Sequence, residues 1–277
     1  MKSNSEVTNE KNNLVNLEIS AELDADADAD ADALSDSSKS GSNEYRRPQI
    51  NLTRNLRVQN YYTSGLDGEF RDYAFNEERA PQNLGKWRQE IFKVPQDMAV
   101  DLEIGTGNGT HFQYRAKKHL ERCLVGLELK YKPLIQTIRG CLRQGQHNAR
   151  VCRYHAMNID QLFAKDEIND VFIHFPDPWV TPRKPQHRFV NSRVLDILHE
   201  QQRVGSYLNF KTDSREYFLW SMEQIEKSPY KIIYSTLDLH NSEMAAENFR
   251  TQFENIFSRQ GIEINFVRLQ KVADKGL

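Results

Sequence analysis

The sequence predicts an α/β fold built on a mainly parallel sheet with an antiparallel edge, and two observations lead there. Between residues 98 and 268, short apolar runs alternate with helix-like segments, the βαβ rhythm that lays helices over a parallel sheet in one domain. The first of these units carries the turn Gly105-Thr106-Gly107-Asn108-Gly109 between a strand and a helix, and its second strand ends in an acid. Glycines at such a junction let the backbone pass close to a ligand and leave helix N-terminal N–H groups facing it.

The elements follow in order. Residues 98–104 read as the first strand, and 110–118 as the helix after the glycine turn. Residues 123–128 form the next strand, ending in Glu128. That acid stands about twenty residues beyond the glycines, where such folds hold a ribose by its hydroxyls; it is also placed to cap a helix beginning near Tyr131. A strand at 149–154 runs to His155, and a buried strand at 170–175 runs into Pro176-Asp177-Pro178-Trp179. The helix 189–200, the strand 205–212 and the helix 214–227 continue the pattern, with Asp213-Ser214 as an N-cap. Strands at 230–236 and 262–268 supply the antiparallel edge.

Two parts of this frame carry chemistry. Proline fixes its own φ and biases the preceding residue toward extended geometry, so Asp177 is restrained from both sides. In open α/β sheets ligands bind beyond the carboxyl ends of the strands, where this loop lies. The glycine spacing is G-x-G-x-G, whereas a dinucleotide fingerprint is G-x-G-x-x-G. Glu103, just before the turn, is unfavourable beside a pyrophosphate and suits the sulfonium and ammonium of S-adenosylmethionine. Glu103 with Asp101 also fits a strand-end pair facing solvent, and Trp179 fits either a base-stacking platform or a core position. Cys123, Cys141 and Cys152 are scattered, and His155, His174 and His187 have no metal-ligand spacing with them, so neither a metal nor a disulfide is expected.

Taken together, Leu102-Glu103-Ile104-Gly105-x-Gly107-x-Gly109, Gly126-Leu127-Glu128, Phe175-Pro176-Asp177-Pro178-Trp179, Thr212-Asp213 and Thr251-Gln252-Phe253-Glu254 resemble the bacterial tRNA (guanine-N7)-methyltransferase family over residues 98–269. The resemblance implies a Rossmann-like class I methyltransferase that uses S-adenosylmethionine to methylate N7 of a guanine in the tRNA variable loop. It implies cofactor binding by Glu103, Gly105, Gly107, Glu128, the position of His155 and Asp177, and catalysis by Asp177. It further implies substrate contact at the positions of Thr181, Arg188, Asp213, Thr251 and Glu254. Two departures stand out: the family carries Asp-Ala where this chain has His155-Ala156, and a substrate-binding Lys where it has Thr181. Fewer cations in that loop weaken phosphate binding, which scales with the phosphates neutralised. A methyltransferase with another substrate, or a non-catalytic RNA-binding relative, are the other functions compatible with these departures.

Guanine N7 carries an in-plane lone pair and no proton, so no general base is required. Alignment and desolvation then carry catalysis, and positioning can supply roughly 7–11 kcal/mol. Asp177 is expected to fix the guanine edge or the cofactor amine, with Asp213 on the other side of the base.

Composition sets the outer limits. The chain has 277 residues, 27% of them charged, and a mean hydropathy of -0.73, with no apolar run of transmembrane length and no basic-then-apolar N-terminal leader, so a cytoplasmic protein without membrane association is expected, as monomer or homodimer. The net charge of -2 hides an asymmetry: residues 1–44 carry eleven acids and three lysines, the remainder 28 acids and 34 Lys or Arg. Residues 1–44, with the alternating Asp-Ala run at 24–33, are too poor in apolar side chains to build a core and read as a disordered acidic tail, either a mobile polyanion competing with RNA or a solvated extension. Residues 45–277 then form the methyltransferase domain. Its first part, 45–95, clusters Arg46, Arg47, Arg54, Arg57, Tyr61 and Tyr62, a mixture that suits looped RNA or the covering of a sheet edge.

Overall fold

A single mixed sheet organises the residues that the computed structural model describes, 47–179 and 187–273. Its strands are β1 (Ala74–Phe75), β2 (Ala99–Ile104), β3 (Arg122–Leu127), β4 (Ala149–Cys152), β5 (Val171–His174), β6 (Tyr207–Thr212), β7 (Lys231–Thr236) and β8 (Asn265–Gln270). They lie in the order β1-β4-β3-β2-β5-β6-β8-β7. Every neighbouring pair from β1 to β6 is parallel, and β8 runs antiparallel to both β6 and β7. The expected parallel sheet with its antiparallel edge is therefore what the chain forms.

The helices are α1 (Tyr61–Gly65), α2 (Thr110–Lys118), α3 (Tyr131–Arg143), α4 (Ser192–Gln201), α5 (Arg215–Ile225) and α6 (Gln252–Arg259). Successive strand residues face opposite sides, and the core divides accordingly. Leu124 of β3 packs with Phe112 and Ala116 of α2 and Leu134, Ile135 and Ile138 of α3. Cys123, Val125 and Leu127 belong to the core on the other face, which also holds Val194, Leu195 and Leu198 of α4 and Tyr217 and Phe218 of α5. Burial on both faces explains why these strands read as continuous apolar runs.

Several boundaries shift for local reasons. The helix expected from Phe189 starts at Ser192, because the Asn191 side chain accepts from the Val194 N–H at 3.1 Å and caps it there. Ser214, accepting from Tyr217 at 3.2 Å, is the cap of α5, so the Asp213 side chain is not used for capping. The sequence reading missed helices α1 and α6 and strand β1, whose two residues are too short to show a period.

The N-terminal aromatic and basic segment covers the sheet edge. Strand β1 pairs with β4, and Leu66, Phe70 and Ala74 are buried against α3. The Arg79 guanidinium collects the carbonyls of Leu66, Arg71 and Ala74 at 2.6, 2.9 and 2.7 Å, satisfying backbone acceptors of an irregular segment. Buried Glu77 ties the hydroxyl of Thr53, at 2.9 Å, to Arg153 at 3.0 Å. Residues 1–44, expected to be an acidic tail, lie outside the described residues, as do Thr181 and Arg183.

Candidate active site

The sheet order reverses direction between β2 and β5: the chain leaves β2 toward β3 and β4 on one side and leaves β5 toward β6 on the other. Ligands of such sheets bind at this switch point, beyond the carboxyl ends of the strands. Glu103 and the glycine turn at β2, Glu128 at β3, His155 after β4, Asp177 after β5 and Asp213 after β6 all stand at that end.

The turn itself is an open cradle. Gly105 and Gly107 have φ of +73° and +51°, and a Cβ at either would meet nothing within 4 Å, so free space fronts the backbone there. Gly109, the cap residue of α2, is a glycine for another reason: a Cβ there would lie 2.4 Å from Thr137 Oγ1, so helix α3 can approach only a bare backbone.

Strand β2 alternates Val100, Leu102 and Ile104 into one core with Asp101 and Glu103 on the opposite face, toward α2. Asp101 meets Arg115 at 2.7 Å and Glu103 Oε2 meets His111 Nδ1 at 2.6 Å, two acids two residues apart on a strand matching two bases four apart on a helix. Both acids are buried, 1% and 5% exposed, which excludes the solvent-facing pair. Asp101 also holds Arg122 and belongs to the scaffold. The His111 ring lies edge-on to His174, with centroids 4.3 Å apart. Burial lowers the pKa of both imidazoles, that of His174 well below its ordinary value. For His111, burial outweighs the neighbouring Glu103, which pulls the other way. Both rings are therefore neutral near pH 7. Phe249, stacked on Tyr114 at 4.2 Å, lies beside His111, with ring centroids 5.9 Å apart.

Glu128 does not cap α3; its carboxylate accepts from the N–H groups of Gly107, Leu129 and Lys130 at 3.0, 2.9 and 3.0 Å, tying the end of β3 to the glycine turn. A carboxylate offers about four acceptor sites, so one remains. Burial raises its pKa, and the three N–H bonds oppose that rise. Half-buried His155 accepts from the Met157 N–H at 3.2 Å and starts a 3-10 turn, and burial lowers its pKa, so a neutral imidazole stands where the resemblance implies an acid.

The Asp177 loop is held by its flanks. Phe175 and Trp179 adopt φ of +52° and +43°, a conformation that costs a bulky residue on the order of 1–3 kcal/mol and persists only where surroundings enforce it. Phe175 is fixed by its N–H to the Lys211 carbonyl at 2.8 Å and by packing against Phe253 and Phe257. Beyond the loop, buried Arg188 donates to the Pro178 carbonyl at 3.0 Å and to Glu216 at 2.5 Å, over the rings of Tyr217 and Trp220. Trp179 is half-buried beside His187, their ring centroids 5.1 Å apart, and Asp177 itself is exposed.

Thr251 and Glu254 form the capping box of α6, with Thr251 N–H to Glu254 at 3.0 Å and Glu254 N–H to Thr251 Oγ1 at 3.2 Å. Glu254 is 0% exposed; it accepts from Lys211 at 2.7 Å and from Asn248 at 2.8 Å, and His240 Nε2 lies 3.1 Å away. Lys211 also reaches Asn248 Oδ1 at 3.0 Å and the Phe249 carbonyl at 3.3 Å. This network pins the segment 248–254 over the site. It leaves Phe253, 44% exposed, at the surface, and Gln252 hydrogen-bonded to Asn108 of the glycine turn.

A family model described as a methyltransferase matches residues 97–267. The tRNA (guanine-N(7)-)-methyltransferase of Bdellovibrio bacteriovorus is 58% identical over 207 residues, covering 75% of this chain and 99% of that protein. This chain belongs to the tRNA (guanine-N7)-methyltransferase family. The enzyme of the same name from Clostridium novyi is 30% identical over 69% of this chain and 87% of its own length. A bifunctional glycosyltransferase/methyltransferase of Fusobacterium nucleatum is 32% identical, and the chain spans 29% of it.

The residues present fit the methyl donor of this family. The space before Gly105 and Gly107 admits a ligand against the backbone, Glu128 keeps an acceptor site for a ribose hydroxyl, and Glu103 Oε1, without a hydrogen bond from the described chain, is left for a cation. Cys123, Cys141 and Cys152 are buried free thiols, pushed up by burial to about 11, about 12 and beyond, and take no part. His111, Lys211 and Phe249 were not singled out from the sequence. The period-two acids of β2 set against His111 and Arg115 at helical spacing were the signal available for the first.

Proposed function

We propose that this protein transfers the methyl group of S-adenosylmethionine to N7 of a guanine in tRNA, in the cytoplasm. The observation that carries the reading is the pair of carboxylates, Glu103 and Glu128, at the carboxyl ends of adjacent parallel strands on either side of an open glycine cradle. S-adenosylmethionine supplies an electrophilic methyl on a sulfonium. Glu103, buried and held by His111, offers its free oxygen to the cationic amino-acid end. Glu128 takes a ribose hydroxyl with the acceptor site its three N–H partners leave.

Asp177, exposed at the rim of a loop whose flanks are fixed, accepts from the guanine edge and sets the in-line approach of N7. Because N7 has no proton to lose, aiming the base is what the loop contributes, and Arg188 acts by holding that loop through Pro178. Asp213, half-buried beyond β6, faces the base from the other side. Thr251 and Glu254 shape the segment that presents Phe253 and Arg250 to the RNA. Among the described residues no helix is long and apolar enough to cross a membrane.

The test is calorimetric binding of S-adenosylmethionine followed by incubation with bulk tRNA and digestion for 7-methylguanosine. Binding with product is expected. Binding without product points to another substrate, and absence of binding refutes the reading.

A further inference from the structure

Glu103, His111 and His174 each offer one ligand atom, and the three atoms lie within 4.8 Å of one another. The geometry points to a binding site for a divalent transition-metal ion of the zinc class on these three side chains, one that excludes the cofactor's cationic end from Glu103. The donor set is two imidazoles and a carboxylate, the set that borderline ions such as zinc prefer over the all-oxygen sets of calcium and magnesium.

Two further observations carry it. His174 Nδ1 is buried with no hydrogen-bond partner among the described residues, a polar atom that costs free energy unless something is bound to it. Lys211 and Arg115 also face the imidazoles, and each is paired with an acid of its own, Glu254 at 2.7 Å and Asp101 at 2.7 Å, which leaves Glu103 as the acid within the cluster. Zinc bonds of about 2.0–2.1 Å hold tetrahedral ligand atoms about 3.3 Å apart, so side-chain adjustments below about 1.5 Å close the triad. His111 Nδ1, now 2.6 Å from Glu103, passes its proton to Nε2 if it ligates through that atom. The helical and strand positions of the two histidines make the site rigid, and the fourth position is left to water.

The exclusion rests on the cofactor role of Glu103 proposed above; the metal site does not. The experiment is a titration of the full, metal-free chain with Zn2+ by calorimetry and with Co2+ by visible absorption, on the parent and on His174→Ala and His111→Phe. One equivalent is expected in the parent, with the d–d bands of a low-coordinate Co2+ ion, and an affinity at least about 100-fold weaker in each variant. Should either variant fail to fold by circular dichroism, His174→Gln, which keeps a polar group of similar size, takes its place. Equal binding by parent and variants, or no Co2+ band, overturns the site. With S-adenosylmethionine present, the apparent Zn2+ affinity is expected to fall in proportion to cofactor occupancy; an unchanged affinity overturns the exclusion. Cofactor binding measured in metal-free buffer reports separately on the methyltransferase reading, and its failure leaves the zinc comparison between parent and variants decisive for the site.

Discussion

Replacing Lys211 by Met removes the only partner cation that contacts Glu254 with an ammonium among the described residues, and leaves a carboxylate with 0% exposure. In the parent, burial pushes the Glu254 carboxyl up, but Lys211, with the Thr251 and Asn248 hydrogen bonds, overrides it and holds the pKa below the ordinary value. Burial pulls the Lys211 ammonium down, and Glu254 offsets much of that; the direction that governs stability is the depressed carboxyl, so the pair is ionised near neutrality. A group with a depressed folded pKa contributes stability that is present above its unfolded pKa and is lost as pH falls through the folded value. Breaking one partner of a buried pair costs about 3–5 kcal/mol. For a domain of this size each kcal/mol shifts Tm by about 2–4 °C, so a fall of roughly 6–20 °C is expected. In the variant the sign reverses: burial without the ammonium raises the Glu254 pKa, and the penalty grows as pH rises through that raised value. Thermal unfolding followed by circular dichroism at about pH 5 and about pH 8 is therefore expected to show the larger loss at the higher pH. Adding Glu254→Gln to Lys211→Met removes the buried charge and recovers part of the loss. A Tm within about 2 °C of the parent at the higher pH, or equal losses at both, would refute the reasoning.

Asp177→Asn is expected to lower turnover at least about tenfold with cofactor affinity little changed, because a positioned charged acceptor is lost; turnover within about twofold of the parent removes Asp177 from the mechanism. Glu128→Gln loses a charged acceptor and weakens S-adenosylmethionine binding about tenfold by calorimetry, and since burial raises the Glu128 pKa, the parent's affinity declines on acidification earlier than an ordinary glutamate would allow. Arg188→Ala frees the Pro178 carbonyl and the Phe175 to Trp179 loop, so kcat/KM for tRNA falls while cofactor Kd holds; equal effects on both would show a wider disruption. Gly109→Ala puts a Cβ at 2.4 Å from Thr137 Oγ1 at φ of +76°, and a loss of at least about 1 kcal/mol is expected in urea unfolding.

Much of the framework was legible in local signals. Helix α2 runs over Thr110–Lys118, as read from the glycine turn before it, and β2, β3, β5 and β6 lie within two residues of their expected ends. These features follow from short-range rules: glycine backbone freedom, proline restriction and the period of apolar runs act within a few residues of chain. The placement of the candidate acids was legible for the same reason, since Glu103, Glu128 and Asp177 stand at or just beyond the ends of β2, β3 and β5, and the carboxyl end of a parallel strand in such a sheet is the ligand end.

Partnership was not legible. Lys211 and Glu254 are 43 residues apart in sequence and meet at 2.7 Å only because β8 folds back against β6. The family resemblance implied substrate contact at Arg188, Thr251 and Glu254, yet Arg188 and Glu254 are buried and spend their charges on a loop and a helix end. The facing of His111, His174 and Glu103 depends on α2 crossing β2 and on β5 pairing beside it, contacts whose register no single segment specifies. By itself the sequence determined the elements, the turn and the kind of chemistry, because those depend on each residue's own backbone limits and charge. The tertiary structure alone decided which buried charges face each other, because that depends on strand order and on desolvation by residues far away in the chain.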